Sequence, residues 1–377
     1  MAGIYIHIPF CVKKCFYCDF YSIEKLSLQE KFVNYLTKEI KIFSDIHPYN
    51  KNIDSVFFGG GTPSLLTAVE LELIINSLKN NFNISTNAEW TIESNPGTLT
   101  FENLREYLDL GINRISIGVQ SFVESELKFL RRIHTSSEAY NSIQEAKKAG
   151  FKNLNIDIIF SIPEQTLESL NQTLDAIQEL KPQHISAYSL IYEKGTPLFE
   201  AYKRNEIQKI DDDTDAELYE FLSKYLIKLG YEHYEVSNFA INGFKCNHNL
   251  NYWNGGDYFG FGPSAHSFFN NKRYWNFKSL NKYFEKIDDY QLPVEDSEIL
   301  SSENILNERI MLGLRAEGLD LNQIGTEFHI DLEKKCNPII EEWIKNDFAF
   351  WKNNKLRLNY KGYSICNTLI NNIVNLI

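Results

Sequence analysis

The chain has 377 residues, 43% of them hydrophobic, enough to bury a full-sized core and suggesting one large domain with a smaller companion. Its formal net charge of −12 repels polyanions, and the Lys and Arg residues are dispersed, so nucleic acid is excluded as a partner. Six cysteines, three of them within eight residues, do not read as the disulfide framework of a small secreted domain.

The N-terminal MAGIYIHIPF has no basic leader, and no apolar stretch approaches the ~18 residues of a membrane span. The chain is therefore expected in the cytoplasm, with reduced thiols, and not as an integral membrane protein.

In chain order, residues 4–9 read as a strand, and from Glu30 onward Phe32, Leu36, Ile40 and Phe43 share one helical face. Residues 55–58 form the next strand, running straight into Gly59, Gly60 and Gly61. Residues 90–93, 114–118, 154–160 and 184–192 bring the total to six strands, and the helices before the last three stop at Gly111, Gly150 and near Pro182. This βα repetition predicts an α/β fold with about six parallel strands, either a barrel or an open doubly wound sheet. In either case function gathers at the carboxyl ends of the strands. That is where Cys11 to Cys18, the glycines, Glu93, Asn95 and Gln120 fall, with Asp157 inside the fifth strand.

After Pro293 the pattern turns helical over 304–314, 321–328 and 332–346, followed by 349–358 with a turn at Asn353-Asn354. This looks like a winged-helix α+β module, and the expected division is 1–293 and 294–377. From Ser297 to the end, nine Lys and Arg stand against eleven Asp and Glu, a local charge of −2 and the wrong sign for a duplex binder. A packing or lid domain is the better reading.

Cys11-x3-Cys15-x2-Cys18 follows directly on the first strand. Three thiolates so close together suit three irons of a cubane cluster, leaving the fourth iron open to a chelating small molecule. A zinc site completed by His7 or Asp19, or a plain buried cysteine cluster, are the rival readings.

The segment HIPFCVKKCFYCDF resembles the cluster loop of radical S-adenosylmethionine (SAM) enzymes, in the form used by the coproporphyrinogen III oxidase family, and the similarity covers nearly the whole chain. The resemblance implies a [4Fe-4S] cluster on Cys11, Cys15 and Cys18, SAM on the open iron, and a partial (β/α) barrel. Tyr17 matches an aromatic residue that shields the cluster, and Phe16 stands where the family often has Pro. Gly59 to Pro63 resembles the GGGTP segment, in which Gly60 and Gly61 let backbone approach the methionine moiety and Thr62 offers a hydroxyl. Glu93 in IESNPGTL, Gln120 in GVQSF, Arg132 in LRRIH and Asp157 in NIDIIF match further SAM positions, as do Tyr5 and Ile191. Arg132 would pair with the methionine carboxylate, but Arg131 stands beside it; for each residue a cap, an ion pair or core packing is the ordinary alternative.

Coproporphyrinogen oxidases extend the loop as Cys-x2-Cys-x-Cys, whereas Phe20 occupies the place of the extra cysteine here, which argues against decarboxylation. His248 and Asn249, with Tyr252 and Trp253, resemble the HNxxYW signature of HemW-type haem chaperones. That resemblance implies haem as ligand, His248 as its axial residue with Cys246 or His266 as alternatives, and transfer of haem to an acceptor protein. From the residues alone, a His among aromatics is ordinarily a satisfied core residue. Residues 255–267, rich in Gly and aromatics, either line a flat apolar pocket or pack the core. An oxygen-independent coproporphyrinogen III oxidase is the second reading and a zinc-binding protein the third. If SAM is cleaved to a 5′-deoxyadenosyl radical, an external electron donor is also required.

Overall fold

The computed structural model describes residues 2–47 and 52–377. The six expected strands form as β1 (Ala2–Ile8), β2 (Ile53–Gly60), β3 (Ile84–Ser94), β4 (Arg114–Gln120), β5 (Asn153–Phe160) and β6 (His184–Ser189), parallel and adjacent in chain order. Between them run α1 (Gln29–Ile46), α2 (Ala68–Asn81), α3 (Phe101–Asp109), the short α4 (Glu124–Phe129), α5 (Ser136–Ala149) and α6 (Leu167–Leu180). One local device starts four of these helices. Thr67, Thr100, Thr135 and Thr166 each accept a bond from the backbone N–H three residues on, whose side chain accepts from the cap in return. At the other end, α5 stops on Gly150 at φ 116°, while α6 stops on Lys181 at φ 46°, directly before Pro182.

Right-handed crossovers, the rule between parallel strands that neighbour one another in chain order, place α1 to α6 on one face, so the sheet curls into a partial barrel with these helices outside. The side chains divide accordingly. Ile4, Ile6 and Ile8 of β1, Ile115 and Ile117 of β4, and Leu154, Ile156 and Ile158 of β5 are fully buried in the helix-side core. The alternate residues Tyr5, His7, Arg114, Ser116, Asn155 and Asp157 line a cavity on the concave face. Parallel strands covered on both faces usually read as unbroken apolar runs, so this polar alternation marks the concave face as a working surface.

Beyond β6, α7 (Pro197–Lys203) and α8 (Asp212–Lys228) lead to β7 (Glu232–Glu235) and β8 (Asn238–Ala240), which extend the sheet antiparallel on the β6 side. A short α9 (Asn247–Trp253) returns the chain to β9 (Asp257–Phe261), parallel to the free edge of β1. β10 (His266–Phe269), β11 (Lys272–Asn276) and, after α10 (Leu280–Asp288), β12 (Val294–Ile299) complete a twelve-stranded sheet. Because β12 pairs with β11, the sheet continues past position 293 and the helical rhythm begins only after Ile299.

The remainder is winged-helix-like: α11 (Ser302–Arg315), α12 (Leu321–Phe328), α13 (Leu332–Lys345) and the hairpin β13 (Ala349–Lys352) and β14 (Lys355–Leu358). Asn353 at φ 52° and Asn354 at φ 61° make the hairpin turn. Leu319 bridges to Leu356, tying the α11–α12 connection to the hairpin, and α14 (Tyr360–Ser364) and α15 (Cys366–Val374) end the chain. One continuous apolar core runs through the sheet, its helices and these C-terminal elements. Among the described residues, no helix is long and apolar enough to cross a membrane.

Candidate cofactor and ligand site

β1 feeds a loop that carries Cys11, Cys15 and Cys18 and is held at both ends. Ile23 N–H donates to Pro9 O at 2.7 Å, and Cys11 N–H to Ile23 O at 3.0 Å. The glycines after β2 close against the start of this loop: Gly61 N–H donates to Ile8 O at 2.8 Å and Thr62 N–H to Phe10 O at 2.7 Å. A methyl group at Gly61 would stand 2.5 Å from Phe10 O, and one at Gly60, where φ is 106°, would meet the His7 ring at 2.6 Å. The missing side chains thus first permit β2 to dock on the cysteine loop, and Gly60 and Gly61 also line the cavity.

Arg132 Nη1 donates to Cys15 Sγ at 3.1 Å, and Thr62 Oγ1 lies 3.6 Å from Cys11 Sγ. Burial pushes the Cys11 thiol up and the Cys18 thiol up to about 11, and the neighbouring cysteines push both in the same direction. Three thiolates here would repel one another, and bound iron supplies the positive charge that removes the repulsion, so the donor set fits an iron-sulfur cluster. His7 is not free to complete a zinc site: Nε2 is 2.9 Å from the Tyr21 carbonyl, Nδ1 is 3.2 Å from the Tyr5 hydroxyl, and the residue is buried. Among the described residues, no three His, Cys, Asp or Glu side chains converge on a single metal ion, which weighs against zinc; a cubane instead takes each thiolate on a different iron.

The paired arginines part company. Arg131, at φ 54°, lays its guanidinium 4.0 Å from the Phe16 ring centroid. Arg132 turns inward: Nη2 donates to Gly118 O at 2.7 Å and to Asn95 Oδ1, and Asn95 Nδ2 donates to Thr62 Oγ1 at 2.8 Å. Asn95 thereby joins the arginine to the glycine segment. Arg132 Nε is buried with no hydrogen-bond partner among the described residues, a donor suited to a carboxylate.

Glu93 Oε2 accepts from Gly60 N–H at 3.2 Å; burial, reinforced by the Asp157 charge, pushes its carboxyl up to about 8. Asp157 accepts from Ser116 Oγ at 2.9 Å and Asn155 Nδ2 at 2.7 Å, and burial raises it as well. Two buried carboxyls raised toward the neutral form would ionise readily beside an entering cation. Gln120 adopts φ 69° at the irregularity that ends β4. Ile191 lies exposed at the cavity rim, and Tyr5 lines the wall below. Arg114 belongs to no motif, yet it lies buried on the cavity wall close to Glu89 and Asp157. Its alternation with Ile115 on β4 is the only sequence signal for it.

α9 brings His248 and Tyr252 together one turn apart. His248 is buried, with Nδ1 2.9 Å from the Ser55 hydroxyl, Nε2 2.9 Å from the Tyr252 hydroxyl, and its ring stacked on Phe57 at 5.0 Å. Burial, with the nearby Arg114 charge, pushes it down to about 3, so the ring is neutral. His248, Asn249 and Tyr252 line the cavity, whereas Trp253 is not among its lining residues. Cys246 is fully buried, its thiol 3.5 Å from Glu89 Oε1 and its N–H bonded to the Tyr234 hydroxyl, and it does not reach the cavity. Within 255–267, Tyr258, Ser264 and His266 line the cavity while Phe259 and Phe261 enter the core. Strand alternation thus divides the segment between the two expected roles.

The cavity encloses about 1250 Å³, above the range of about 300–1,000 Å³ usual for one small molecule. Its near wall holds the cysteines, Arg132, Glu93 and Asp157; its far wall is formed by α9, β9 to β11 and α11.

Residues 5–177 match the model of the radical SAM superfamily. The chain is 33% identical to the heme chaperone HemW of Lactococcus lactis subsp. lactis, over 97% of this chain and 95% of that one. It is 38% identical to the heme chaperone HemW of Escherichia coli K12, over 70% and 69% of the two chains. Among solved structures, the coproporphyrinogen III oxidase HemN from Escherichia coli, a radical SAM enzyme, is similar at a TM-score of 0.83 and 22% identity, covering 100% of this chain and 89% of that one. That structural likeness establishes the fold; the full-length sequence likeness establishes the family. The chain belongs to the HemW family of the radical SAM superfamily.

Proposed function

We propose that this protein is a cytoplasmic haem chaperone, which holds a [4Fe-4S] cluster on Cys11, Cys15 and Cys18, binds SAM beside it, and passes haem to an acceptor protein. The observation that carries this reading is one large cavity with two different walls, the three thiols with Arg132, Glu93 and Asp157 on one side, and Tyr252, Tyr258, Phe268 and two imidazoles with Lys278 and Arg309 on the other. On the near wall, Arg132 would hold the methionine carboxylate through its unpaired Nε. Glu93 and Asp157 would take the cationic and hydroxyl groups of SAM, while Gly60, Gly61 and Thr62 would border the methionine chain. Tyr17, beside the Arg132 guanidinium, would screen the cluster from water. When bound, the cluster supplies one-electron reduction of SAM, for which an external donor is needed. On the far wall, ring faces would receive a porphyrin.

Residues 294–377 fit a packing or lid role, since Arg309, Met311 and Leu312 of α11 stand on the cavity wall. Phe20, exposed at the same cavity, is where the coproporphyrinogen oxidase loop would place another cysteine, and this weighs against decarboxylation.

Anaerobic reconstitution with iron and sulfide followed by haem titration tests the reading. A cluster together with tight haem binding is expected. A cluster without haem binding would return the protein to the SAM enzymes, and robust conversion of coproporphyrinogen III to protoporphyrinogen would replace the chaperone reading outright.

A further inference from the structure

Three histidines line the cavity: His7, His248 and His266. The first two have both ring nitrogens in contact with hydrogen-bonding partners. Turning His248 toward a metal would strand the Ser55 and Tyr252 hydroxyls in a buried place. His266 differs. Its side chain is exposed, its ring stacks on Trp275 with centroids 5.7 Å apart, and among the described residues neither nitrogen has a hydrogen-bond partner. Burial of part of the ring, with the charges of Arg273 and Lys278, holds its pKa below the ordinary histidine value, so the imidazole keeps a free lone pair at neutral pH.

The backbone presents this side chain deliberately. A methyl group at Gly260 would collide with the His266 carbonyl, so β9 and the start of β10 approach this closely only with glycine, and Gly260 N–H donates to Ser267 Oγ at 2.8 Å. Pairing sets Tyr258 opposite Phe268, Phe268 opposite Arg273 and His266 opposite Trp275. These residues share one face of β9, β10 and β11, while Ser267 turns to the other. On the same wall stand Lys278, without a partner among the described residues, and Arg309, held only at 3.6 Å by Glu327. Arg273, by contrast, is neutralised by Glu298 at 2.9 Å and Glu308 at 2.8 Å.

A free imidazole, flat ring surfaces and two loosely held cations together suit a planar, metal-centred ligand with carboxylate arms. The geometry points to His266, rather than His248, as the axial ligand to haem iron, with the Tyr258 and Phe268 face as the seat of the porphyrin and Lys278 and Arg309 toward its carboxylates. This assignment rests on the haem reading above.

The test titrates ferric haem, and separately metal-free protoporphyrin IX, into the reconstituted wild type, His266→Ala and His248→Ala, reading Soret absorbance and electron spin state. His266→Ala is expected to lose the imidazole-ligated spectrum and weaken haem binding at least about tenfold. Free imidazole should restore the spectrum, and metal-free porphyrin should bind as in wild type. His248→Ala is expected to keep the wild-type spectrum. Retention of that spectrum in His266→Ala with its loss in His248→Ala overturns the assignment but leaves the haem reading standing, and so does equal loss of haem and porphyrin in His266→Ala, which makes the residue a packing group. A wild type that binds neither haem nor porphyrin overturns both.

Discussion

The two walls of the cavity are prepared in opposite ways. On the near wall Arg132, Asn95, Thr62, Glu93 and Gly60 are bonded to one another or to the cysteines before any ligand arrives. On the far wall the imidazole of His266 has no hydrogen bond among the described residues, though it stacks on Trp275 and stands near the charges of Arg273 and Lys278. A preorganised wall loses little entropy when its ligand binds and retains it well, whereas groups left without partners among the described residues, such as His266 and Lys278, must be ordered by the ligand itself. On the proposed reading, a resident cluster beside a transferable cargo would make use of this asymmetry.

The contrast can be broken most severely at its anchor. Cys15→Ser should reduce iron and sulfide after anaerobic reconstitution at least about tenfold, as read by metal analysis, because a thiolate ligand is lost. Full cluster content in that variant would remove Cys15 from the wall. Arg132→Ala cuts bonds to Cys15, Asn95 and Gly118 together; calorimetry should show SAM affinity falling about 10- to 100-fold, given about 1.5–3 kcal/mol for hydrogen bonds to a charged group. Haem titration of the same protein should match wild type, and a parallel loss would mean that the walls are not independent.

Gly61→Ala drives a methyl group against the Phe10 carbonyl and should destabilise the fold by about 1–3 kcal/mol, seen as a thermal midpoint lowered by a few degrees. An unchanged midpoint would show that the loop yields easily. Glu93 sets a pH dependence. Its free carboxyl titrates near 8, so below that pH an incoming cation must displace a proton. SAM affinity should therefore rise with pH toward 8, by at most about tenfold per unit, and level off above it, and Glu93→Gln should lose that dependence. The smallest effect belongs to Tyr252→Phe, which takes one partner from His248 and should cost about 1 kcal/mol in denaturant unfolding. The haem spectrum should not change, and a changed spectrum would point back to His248.

The near wall was the more legible one. Cysteine spacing confines three thiols to one short loop whatever the rest of the chain does, and alternation on β4 and β5 already separates Ile115 and Ile156 from Ser116 and Asp157. The far wall was legible only in part: His248, Asn249, Tyr252 and the 255–267 segment were readable, but not the sheet edge beyond it, where Val294–Ile299 is short, charged and largely exposed, which is how an edge strand reads and also how a loop reads. Arg131 and Arg132 are equivalent on paper, and only the left-handed backbone at Arg131 sends one to Phe16 and the other to Cys15.

By itself, then, the sequence determined the six parallel strands, their caps, the cysteine loop and the Asn353-Asn354 turn, because each depends on residues a few positions apart whose sterics and hydrogen bonds are local. Tertiary structure alone decided that Ser55 meets His248, while His266, on the same cavity, is left without a hydrogen-bond partner among the described residues. A histidine's availability depends on which partners distant strands bring within hydrogen-bond reach, and the register between β2, α9 and β10 is set by packing of the whole sheet.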